Sequence, residues 1–285
     1  DSGSASGSAL EDTAEKRFAG ISIQTVSGAD FTITDTENSN GFTVTGATSG
    51  IADGVTVTVT LTDHASTPVS VSDTCDVSSN AWSCNFQDGA GAGGNTASLT
   101  DHPSISVSAA VAGATTSSTT ANLDTTASTV TVGSIDISSD TGTSDSDFNT
   151  NVAAQTLTAT LSAALESSDV LYVSVDNGGS YVDKTSGVSG TAVSTSITLS
   201  GSSNIKIKIT DDVGNDNTAT TTAYVLDQTA PTISFSGVDI SADTGTANDD
   251  FNTATAAQTL TATLSAAIAA DDILQVSVNA GSSWT

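Results

Sequence analysis

The chain has 285 residues, of which 32 are acidic and five are basic, and its formal net charge is −27. This charge excludes nucleic acid and anionic membrane surfaces as partners, because phosphate binding requires Lys and Arg side chains that displace counterions. β-branched Thr and Val are abundant and favour strands, and no run approaches the roughly 20 apolar residues of a membrane span.

The chain begins with a tract of Ser, Gly and Ala that cannot bury a core and is typical of a flexible linker or tail. The charged segment 10–18 is expected either to form a short helix or to continue that tail. Residues 1–19 are therefore assigned to an N-terminal linker.

Short runs of alternating apolar and polar residues occupy the region from about residue 20 to residue 123. They lie at the spacing of strands in a β-sandwich, and turn-forming residues separate them. The runs are 42–45, 55–61, 69–71, 81–83 and 105–109. The pattern predicts one all-β domain.

The two cysteines, Cys75 and Cys84, lie within this domain on either side of a polar Ser-Ser-Asn turn. Two strands around that turn would place the thiols opposite each other. We therefore predict a cross-strand disulfide rather than two free thiols, and with it an oxidising compartment. The short Cys-x-x-Cys spacing of redox and zinc motifs is absent.

A repeat of 103 residues follows, and it needs no gap for its alignment. The identical segments Gln-Thr-Leu-Thr-Ala-Thr-Leu-Ser-Ala-Ala at 155–164 and 258–267 show it most clearly. Two further pairs recur at the same spacing, namely 124–130 with 227–233 and 136–143 with 239–246. Chance does not produce such a match, so the sequence contains tandem copies of one unit.

The complete copy, residues 124–226, contains about seven short alternating runs, and in 205–209 isoleucine and lysine alternate strictly. This number of strands in 103 residues is typical of an immunoglobulin-like sandwich. The fold class predicted is all-β, with tandem immunoglobulin-like β-sandwich domains in an elongated array. Residues 227–285 match only part of the complete copy, so we expect a longer parent chain.

Four segments also carry a resemblance to a known repeat type: 155–164, 211–216, 225–232 and 238–246. They resemble the bacterial immunoglobulin-like repeats of giant surface adhesins and biofilm-associated proteins. The resemblance implies an extracellular location at a bacterial cell surface and neighbouring repeats of the same longer chain as partners. It also implies an extender role, since separate terminal modules carry adhesion in that family.

Calcium is the cofactor that the acidic residues favour. Asp145, Asp147 and Asn149 place oxygen ligands on every second residue, as in the first half of an EF-hand loop, although the Gly and Glu of that motif are missing. Asp136 and Asp140 could complete the site. The next copy keeps the pattern with four residues, Asp239, Asp243, Asp250 and Asn252.

A second candidate cluster lies at the expected domain junctions. Asp211 and Asp212 occupy a turn between two strands, and Asp227 follows the last strand of the copy. The resemblance implies calcium near such junctions, where it stiffens the array. The alternative is that these side chains cap turns by accepting backbone N–H bonds, while the bulk acidity serves solubility.

No catalytic constellation is present in the sequence. His64 and His102 recur in two Leu-Thr-Asp-His segments, but further zinc ligands and a nucleophile motif are missing, so both are assigned to surface turns. Trp82 and Trp284 are expected to pack in the core or at strand ends rather than to form a carbohydrate platform.

The function predicted is a structural extender segment of a bacterial adhesin, a calcium-stiffened stalk that supports cell adhesion or biofilm formation. The main alternative is a subunit of a self-assembling filament, sheath or surface layer, in which other copies of the chain are partners. A weaker alternative is a glycan-binding module in residues 20–123. An enzyme is not expected.

Overall fold

A computed structural model describes residues 19–89, 93–142, 144–269 and 272–285. The linker predicted for residues 1–19 therefore lies outside the described residues, apart from Ala19. In the described residues the protein is almost entirely β-structure, which confirms the predicted all-β class, while the elongated array stays a prediction. No described helix is long and apolar enough to cross a membrane.

The first sandwich contains nine strands and one short helix in the part of the chain described. They are β1 (Gly20–Val26), β2 (Thr32–Thr34), α1 (Asp35–Asn40), β3 (Phe42–Ser49), β4 (Thr56–Thr62), β5 (Ser70–Asp76), β6 (Ala81–Gln87), β7 (Gly94–Asn95), β8 (His102–Val111) and β9 (Ser117–Asp124). One sheet has the order β1-β3-β6-β7 and the other has the order β2-β9-β8-β4-β5. The first strand thus contributes to both sheets, as β1 in one and β2 in the other.

Alternating burial builds the core between these two sheets. In β4 the residues Val57, Val59 and Leu61 are fully buried while the threonines between them face outward. Trp82 packs into the same core at 3% exposure, as predicted. Gly46 is required there, because a Cβ at this position would lie 2.2 Å from the Trp82 ring and 2.0 Å from the Ser22 carbonyl oxygen.

The second sandwich repeats this plan. Its strands are β10 (Val132–Ile137), β11 (Asn149–Thr150), β12 (Ala154–Leu161), β13 (Val170–Ser174), β14 (Val182–Asp183), β15 (Val188–Ser189), β16 (Ala192–Thr198), β17 (Ser203–Thr210) and β18 (Thr220–Leu226). The sheets have the orders β10-β12-β16-β15 and β11-β18-β17-β13-β14. A 3-10 turn, Thr185–Gly187, precedes β15, which pairs antiparallel with β16, whereas β7 pairs parallel with β6.

Beyond residue 227 the described residues form one two-stranded sheet, β19 (Phe235–Ile240) with β20 (Leu260–Leu264). Its pairing, with an irregularity after Ser236, matches that of β10 with β12, which is irregular after Gly133. Trp284 is 58% exposed here, so the prediction that it packs into a core or strand end is wrong for this structure.

The chain divides into two compact units whose boundary does not follow the repeat boundary. Of the described residues, the first unit comprises those from 19 to 130 with 165–170 and 209–218, and the second comprises those in 131–164, 171–208 and 219–285. Two segments of the 124–226 copy therefore belong to the first unit. The domain limits predicted from the sequence, 20–123, 124–226 and 227–285, stay predictions.

The predicted disulfide is present between Cys75 and Cys84. The expected hairpin is wrong, however, because β5 and β6 lie in different sheets. Ser79 and Asn80 both have positive φ in the tight turn, and Val77, 1% exposed, is buried just before it. The chain therefore passes from one sheet to the other at this turn, and the disulfide joins the two sheets.

Candidate functional site

The acidic loop of the second sandwich connects β10 to β11, where the first strand leaves one sheet and joins the other. Asp140, Asp145 and Asp147 lie in this loop, Asp136 precedes it in β10, and Asn149 begins β11. The five predicted calcium ligands therefore belong to one strand crossing. The residues Asp239, Asp243, Asp250 and Asn252 occupy the corresponding segment after β19 begins.

Several of these carboxylates accept hydrogen bonds from backbone amides. Asp140 Oδ2 accepts the Phe148 amide at 2.7 Å, Asp147 Oδ1 accepts the Asn149 amide at 3.0 Å, and Asp136 Oδ1 accepts the Ile137 amide at 2.8 Å. The third copy repeats all three bonds, through Asp243, Asp250 and Asp239. Turn capping, the alternative considered for these residues, is therefore part of their role.

In the described part of each loop, one buried carboxylate oxygen has no hydrogen-bond partner. Asp140 Oδ1 is buried from solvent without a donor, and so is the equivalent oxygen, Asp243 Oδ1. A buried carboxylate oxygen without a donor is costly, because its desolvation is not compensated. The same atom is affected in both copies, so this oxygen is the feature of the loop that best fits a bound cation.

A buried amide organises this loop, and sequence reasoning missed it. Gln155 is 4% exposed, and its Oε1 accepts the Ser139 amide at 2.8 Å. Its Nε2 donates to the carbonyls of Ser139 and Val152 at 3.0 and 2.7 Å and to Thr150 Oγ1 at 3.3 Å. Gln258 makes the same contacts in the third copy. A polar residue at an inward-facing position of an alternating strand was the available signal.

The strand crossing of the first sandwich uses the same local structure in a shorter segment. Phe31 has a φ of 59°, Phe148 one of 61° and Phe251 one of 59°. Each follows an aspartate whose carboxylate accepts the amide two residues further on; in the first sandwich Asp30 accepts the Thr32 amide at 3.2 Å. The Asp-Phe pair could therefore have aligned all three regions from the sequence.

The turn 211–216, which belongs to the first compact unit, is stabilised internally. Asp211 Oδ1 accepts the amides of Val213, Gly214 and Asn215 at 3.1, 2.8 and 2.8 Å. Its second oxygen accepts Asn215 Nδ2 at 2.9 Å. Both oxygens of Asp211 are therefore engaged, which is the turn-capping role considered above.

Asn215 joins this turn to the first sandwich. It is 3% exposed, its Oδ1 accepts the amide of Asp35 at 2.8 Å, and its Nδ2 donates to the carbonyl of Asp124 at 2.9 Å. Asp35 is the first residue of α1, whose start is marked in the sequence by a capping box of Thr34 and Glu37. One side chain thus connects the turn, the helix and the end of β9.

Asp124 is the carboxylate whose environment is most affected by this arrangement. Burial raises the pKa of Asp124, the Thr126 amide opposes that shift, and the negative charges of Asp211, Asp101 and Asp212 raise the pKa further. Sequence reasoning missed Asp101, whose carboxylate accepts hydrogen bonds from the Thr125 amide and the Thr126 hydroxyl. We call Asp101, Asp124, Asp211 and Asp212 the acidic cluster.

The predicted grouping of Asp211 and Asp212 with Asp227 is wrong. The turn lies before β18 and Asp227 lies after it, so seven residues of strand, about 23 Å, separate them. Asp227 Oδ1 instead accepts the Thr229 amide at 2.8 Å. The residue that comes near the turn is Asp124, which occupies the position in the first sandwich that Asp227 occupies one repeat later.

Within the described ranges, no three His, Cys, Asp or Glu side chains come together closely enough to hold a metal ion. The calcium ligands therefore stay predictions. Asp145 is exposed and lies in the loop, and Asp212 contributes only its charge near Asp124. Backbone carbonyl and asparagine oxygens, which calcium also accepts, would have to complete either site.

The two Leu-Thr-Asp-His segments meet in the structure. Their imidazole rings, His64 and His102, stack with centroids 4.6 Å apart. Asp63 links the segments, because it accepts the amide of Val69, which lies beyond its own segment, and the amide of Thr100 in the other segment. These bonds lower the pKa of Asp63, the Val69 bond most strongly. His102 Nδ1 accepts the Ser104 amide at 3.0 Å, so the neutral ring carries its proton on Nε2 and has no lone pair there for a metal.

No protein-family model and no curated protein matches the chain. Solved structures do match. One is a tetra-tandem repeat from the extending region of a large adhesion protein, with 22% identity and a TM-score of 0.28, covering 80% of this chain and 53% of that one. The chain is similar to repeats of bacterial adhesins. It spans about half of that structure's length.

Two further structures belong to ice-binding adhesins. One concerns host cell-surface retention of a 1.5-MDa bacterial ice-binding adhesin, with 19% identity and a TM-score of 0.33, covering 78% of this chain and 69% of that one. The other is a Ca²⁺-stabilised adhesin with which an Antarctic bacterium binds ice, with 20% identity and a TM-score of 0.37, covering 77% and 52%.

Proposed function

We propose that this chain is an extracellular extender segment of a bacterial cell-surface adhesin, a stalk of tandem sandwiches that supports cell adhesion or biofilm formation. The observation that carries the proposal is the repetition of one structural unit along the chain. The second and third copies share strand pairing, the Gln155 and Gln258 contacts and the loop bonds. Uniform repeats suit a spacer, because each copy adds length without adding a new kind of binding site.

The disulfide supports an extracellular location. Cys75 and Cys84 form a disulfide that joins the two sheets of the first sandwich, and such bonds persist in oxidising compartments. The high net negative charge favours solubility and disfavours nucleic acid, which agrees with a role at a cell surface.

Calcium is the cofactor proposed for stiffening the stalk. In the loop of the second sandwich, Asp140 would hold the calcium ion through its buried oxygen that has no donor, with Asp136, Asp145, Asp147 and Asn149 as further oxygen ligands. In the corresponding loop of the third copy, Asp243 would do the same. The acidic cluster is the second candidate, since its charges repel one another at Asp124. The ion would supply positive charge at these oxygens. The described titrating side chains offer no catalytic arrangement, and the chain is proposed not to be an enzyme.

Thermal unfolding of the whole chain tests the calcium proposal. Extracellular calcium modules have dissociation constants of roughly 10⁻⁴ to 10⁻³ M, so about 10 mM calcium added after EDTA should stabilise each site by roughly 1.4 to 2.7 kcal/mol. Magnesium should have little effect. Asp140→Asn combined with Asp243→Asn should reduce the calcium response, whereas the matched control Asp145→Asn should reduce it less. An equal rise in melting temperature with calcium and with magnesium would indicate that these residues only cap turns.

Reach measurements test the stalk. Residues 124–226 would be inserted in one, two or four copies between a surface anchor and a small adhesive domain. Each copy should extend the reach by about 30 Å without changing ligand binding, because its longest strands have eight residues and span about 26 Å, to which the linker adds. Reach that does not grow with copy number contradicts an extender. Reversible assembly of the purified chain at rising concentration, measured by light scattering, would favour the filament alternative.

A further inference from the structure

The second sandwich presents two lysines and two tyrosines on the outer face of one sheet. In β17 the isoleucines are buried, so the alternating Lys206 and Lys208 point away from the core. Lys208 Nζ lies 4.7 Å from the Tyr181 ring centroid and 5.6 Å from the Tyr172 ring centroid, within the range of cation–π attraction. The two lysines are two of the five basic residues in a chain of net charge −27. We call Tyr172, Tyr181, Lys206 and Lys208 the basic-aromatic face.

A turn with many internal hydrogen bonds carries Tyr181. Asp176 Oδ1 accepts the Ser174 hydroxyl at 2.6 Å and the Ser180 amide at 2.9 Å. Ser174 Oγ in turn accepts the Gly178 amide at 2.8 Å. Gly178 has a φ of 90°, and a Cβ at this position would lie 3.3 Å from the Tyr181 hydroxyl. The turn therefore positions the ring in advance, so a ligand has little side-chain freedom to remove when it binds.

The third copy repeats this turn and again ends it on an aromatic residue. Ser277 Oγ accepts the Gly281 amide at 2.8 Å, as in the second sandwich. Trp284 occupies the position of Tyr181, and a Cβ on Gly281 would lie 3.7 Å from its ring. In the complete copy this position is only half-buried. Packing in the core therefore does not account for the ring.

The corresponding strand of the first sandwich has a different outer face. β8 takes the place in its sheet that β17 takes in the second sandwich. In the same alternation with buried apolar residues, its outward residues are Ser106 and Ser108. The strand order therefore does not require lysines at these positions, because serines occupy them in the first sandwich.

We propose that the basic-aromatic face binds an acidic polysaccharide, a polymer whose sugar rings carry carboxylate groups. Tyr172 and Tyr181 offer hydroxyl groups and apolar ring surface to the sugars, and the lysine ammonium groups pair with the carboxylates. Lys206 and Lys208 lie about 7 Å apart along β17, so regularly spaced carboxylates of one polymer reach both. β17 is paired on both sides, with β18 and β13, and offers no free edge to an added peptide strand.

The surrounding charges limit the strength of each contact. Asp176 and Asp183 lie in the segments around this face, and both accept hydrogen bonds within those segments, from Ser180 and Thr185. The whole chain is acidic, so direct contact with the lysines has to hold the polymer, not the long-range field of the protein. A stalk with several such copies would gain overall affinity from many weak contacts with one polymer.

Nuclear magnetic resonance spectra of the whole chain, titrated with polygalacturonate and separately with alginate, test this proposal. EDTA is present throughout, so that calcium does not bridge the acidic protein and the acidic polymer. Chemical-shift changes should be largest at the four residues of the basic-aromatic face. Neutral dextran should bind roughly tenfold more weakly, because it offers no carboxylate to the lysines. Unchanged shifts at this face with both acidic polymers overturn the proposal, and so does equal binding of dextran.

Two lysine variants with the same change in charge provide the matched comparison. Lys206→Gln should lower the affinity for polygalacturonate roughly threefold, since one surface ion pair is lost. Lys184→Gln removes the same charge, but Lys184 Nζ donates to the Ser196 carbonyl of the other sheet at 2.8 Å, so the affinity should stay unchanged. Equal losses in the two variants would show that only the total charge matters, which contradicts a site at this face.

Tyr181→Leu tests the aromatic part of the face. It should weaken the binding of both acidic polymers while the melting temperature shows that the second sandwich still folds, and wild-type affinity in this variant contradicts a sugar ligand. Sedimentation of the chain without polymer tests the other occupant. Reversible association that Lys206→Gln abolishes would assign the face to the acidic surface of a second copy and overturn the proposal. None of these results bears on reach, which tests the stalk independently.

Discussion

The two complete sandwiches share one strand order, apart from the edge strands β7 and β15, and stabilise it by different means. The first closes its core with a disulfide between the sheets, a buried tryptophan on Gly46 and the stacked rings of Phe42 and Phe86, whose centroids are 5.7 Å apart. The second has a mainly aliphatic core, from residues such as Ile205, Ile207 and Leu157, with Tyr224 buried among the described residues as well. The second sandwich instead stabilises its long strand crossing through hydrogen bonds to the buried amide of Gln155.

The difference shows which features the fold requires. Both sandwiches need alternating burial and a first strand that crosses between sheets, and the Asp-Phe segment supplies that crossing in each. The covalent bond, the aromatic packing and the buried amide are separate solutions to holding two sheets together. Substitutions confined to one sandwich should therefore affect one of two unfolding transitions, which calorimetry can resolve.

Gly46→Ala should have the largest effect. The new Cβ would meet the Ser22 carbonyl and the Trp82 ring at 2.0 and 2.2 Å, so backbone or core must shift, at a cost of about 3 kcal/mol to the first sandwich. Gly133→Ala in the second sandwich is the matched control, because its nearest neighbour would be 3.9 Å away. A similar loss of stability in Gly46→Ala and Gly133→Ala would contradict the close packing around Gly46.

Removing the disulfide should have the next largest effect. Cys75→Ala with Cys84→Ala opens a loop with a sequence separation of nine, and loop-closure entropy predicts a loss of about 2.7 kcal/mol. Only the first transition should move, and reductant should reproduce the shift in the wild-type chain. A shift of both transitions would show that the sandwiches do not unfold separately.

Gln155→Ala should destabilise the second sandwich by about 2 kcal/mol. The substitution leaves the Ser139 amide and the Val152 carbonyl without their buried partner. Gln258→Ala removes the same contacts in the third copy, but Gln258 is only partly buried there, so its effect should be smaller. Equal effects, measured by chemical denaturation, would indicate that burial does not set the cost.

Asp124→Asn should have the smallest effect, a gain of about 0.5 kcal/mol or less at pH 7 in EDTA. Because burial and neighbouring acids raise the pKa of Asp124 above 3.8, the native state binds its proton more tightly than the unfolded state does. Its contribution to stability therefore falls as pH rises from about 3.8 through the raised pKa. Asparagine removes that dependence and keeps an acceptor for the Thr126 amide. Identical pH profiles of unfolding for both proteins would contradict this account.

The acidic residues show where sequence reasoning about the site succeeded and where it stopped. Spacing placed Asp140, Asp145 and Asp147 in one loop, because residues so close along the chain stay close in space. It missed Asp101 as a neighbour of Asp124, and it grouped Asp227 with Asp211. Those relations depend on which strand ends face each other, and local spacing carries no information about that.

The sequence by itself determined the all-β class, the 103-residue repeat, most strand positions and the disulfide partners. All of these follow from periodicity and composition over a few residues or from direct self-comparison. Only the tertiary structure decided that Cys75 and Cys84 join two sheets, that Asn215 connects a turn to α1 and β9, and that β11 runs parallel to β18. The reason is physical: strand formation is a local preference, whereas the choice of partners depends on how two amphipathic sheets bury their apolar faces together.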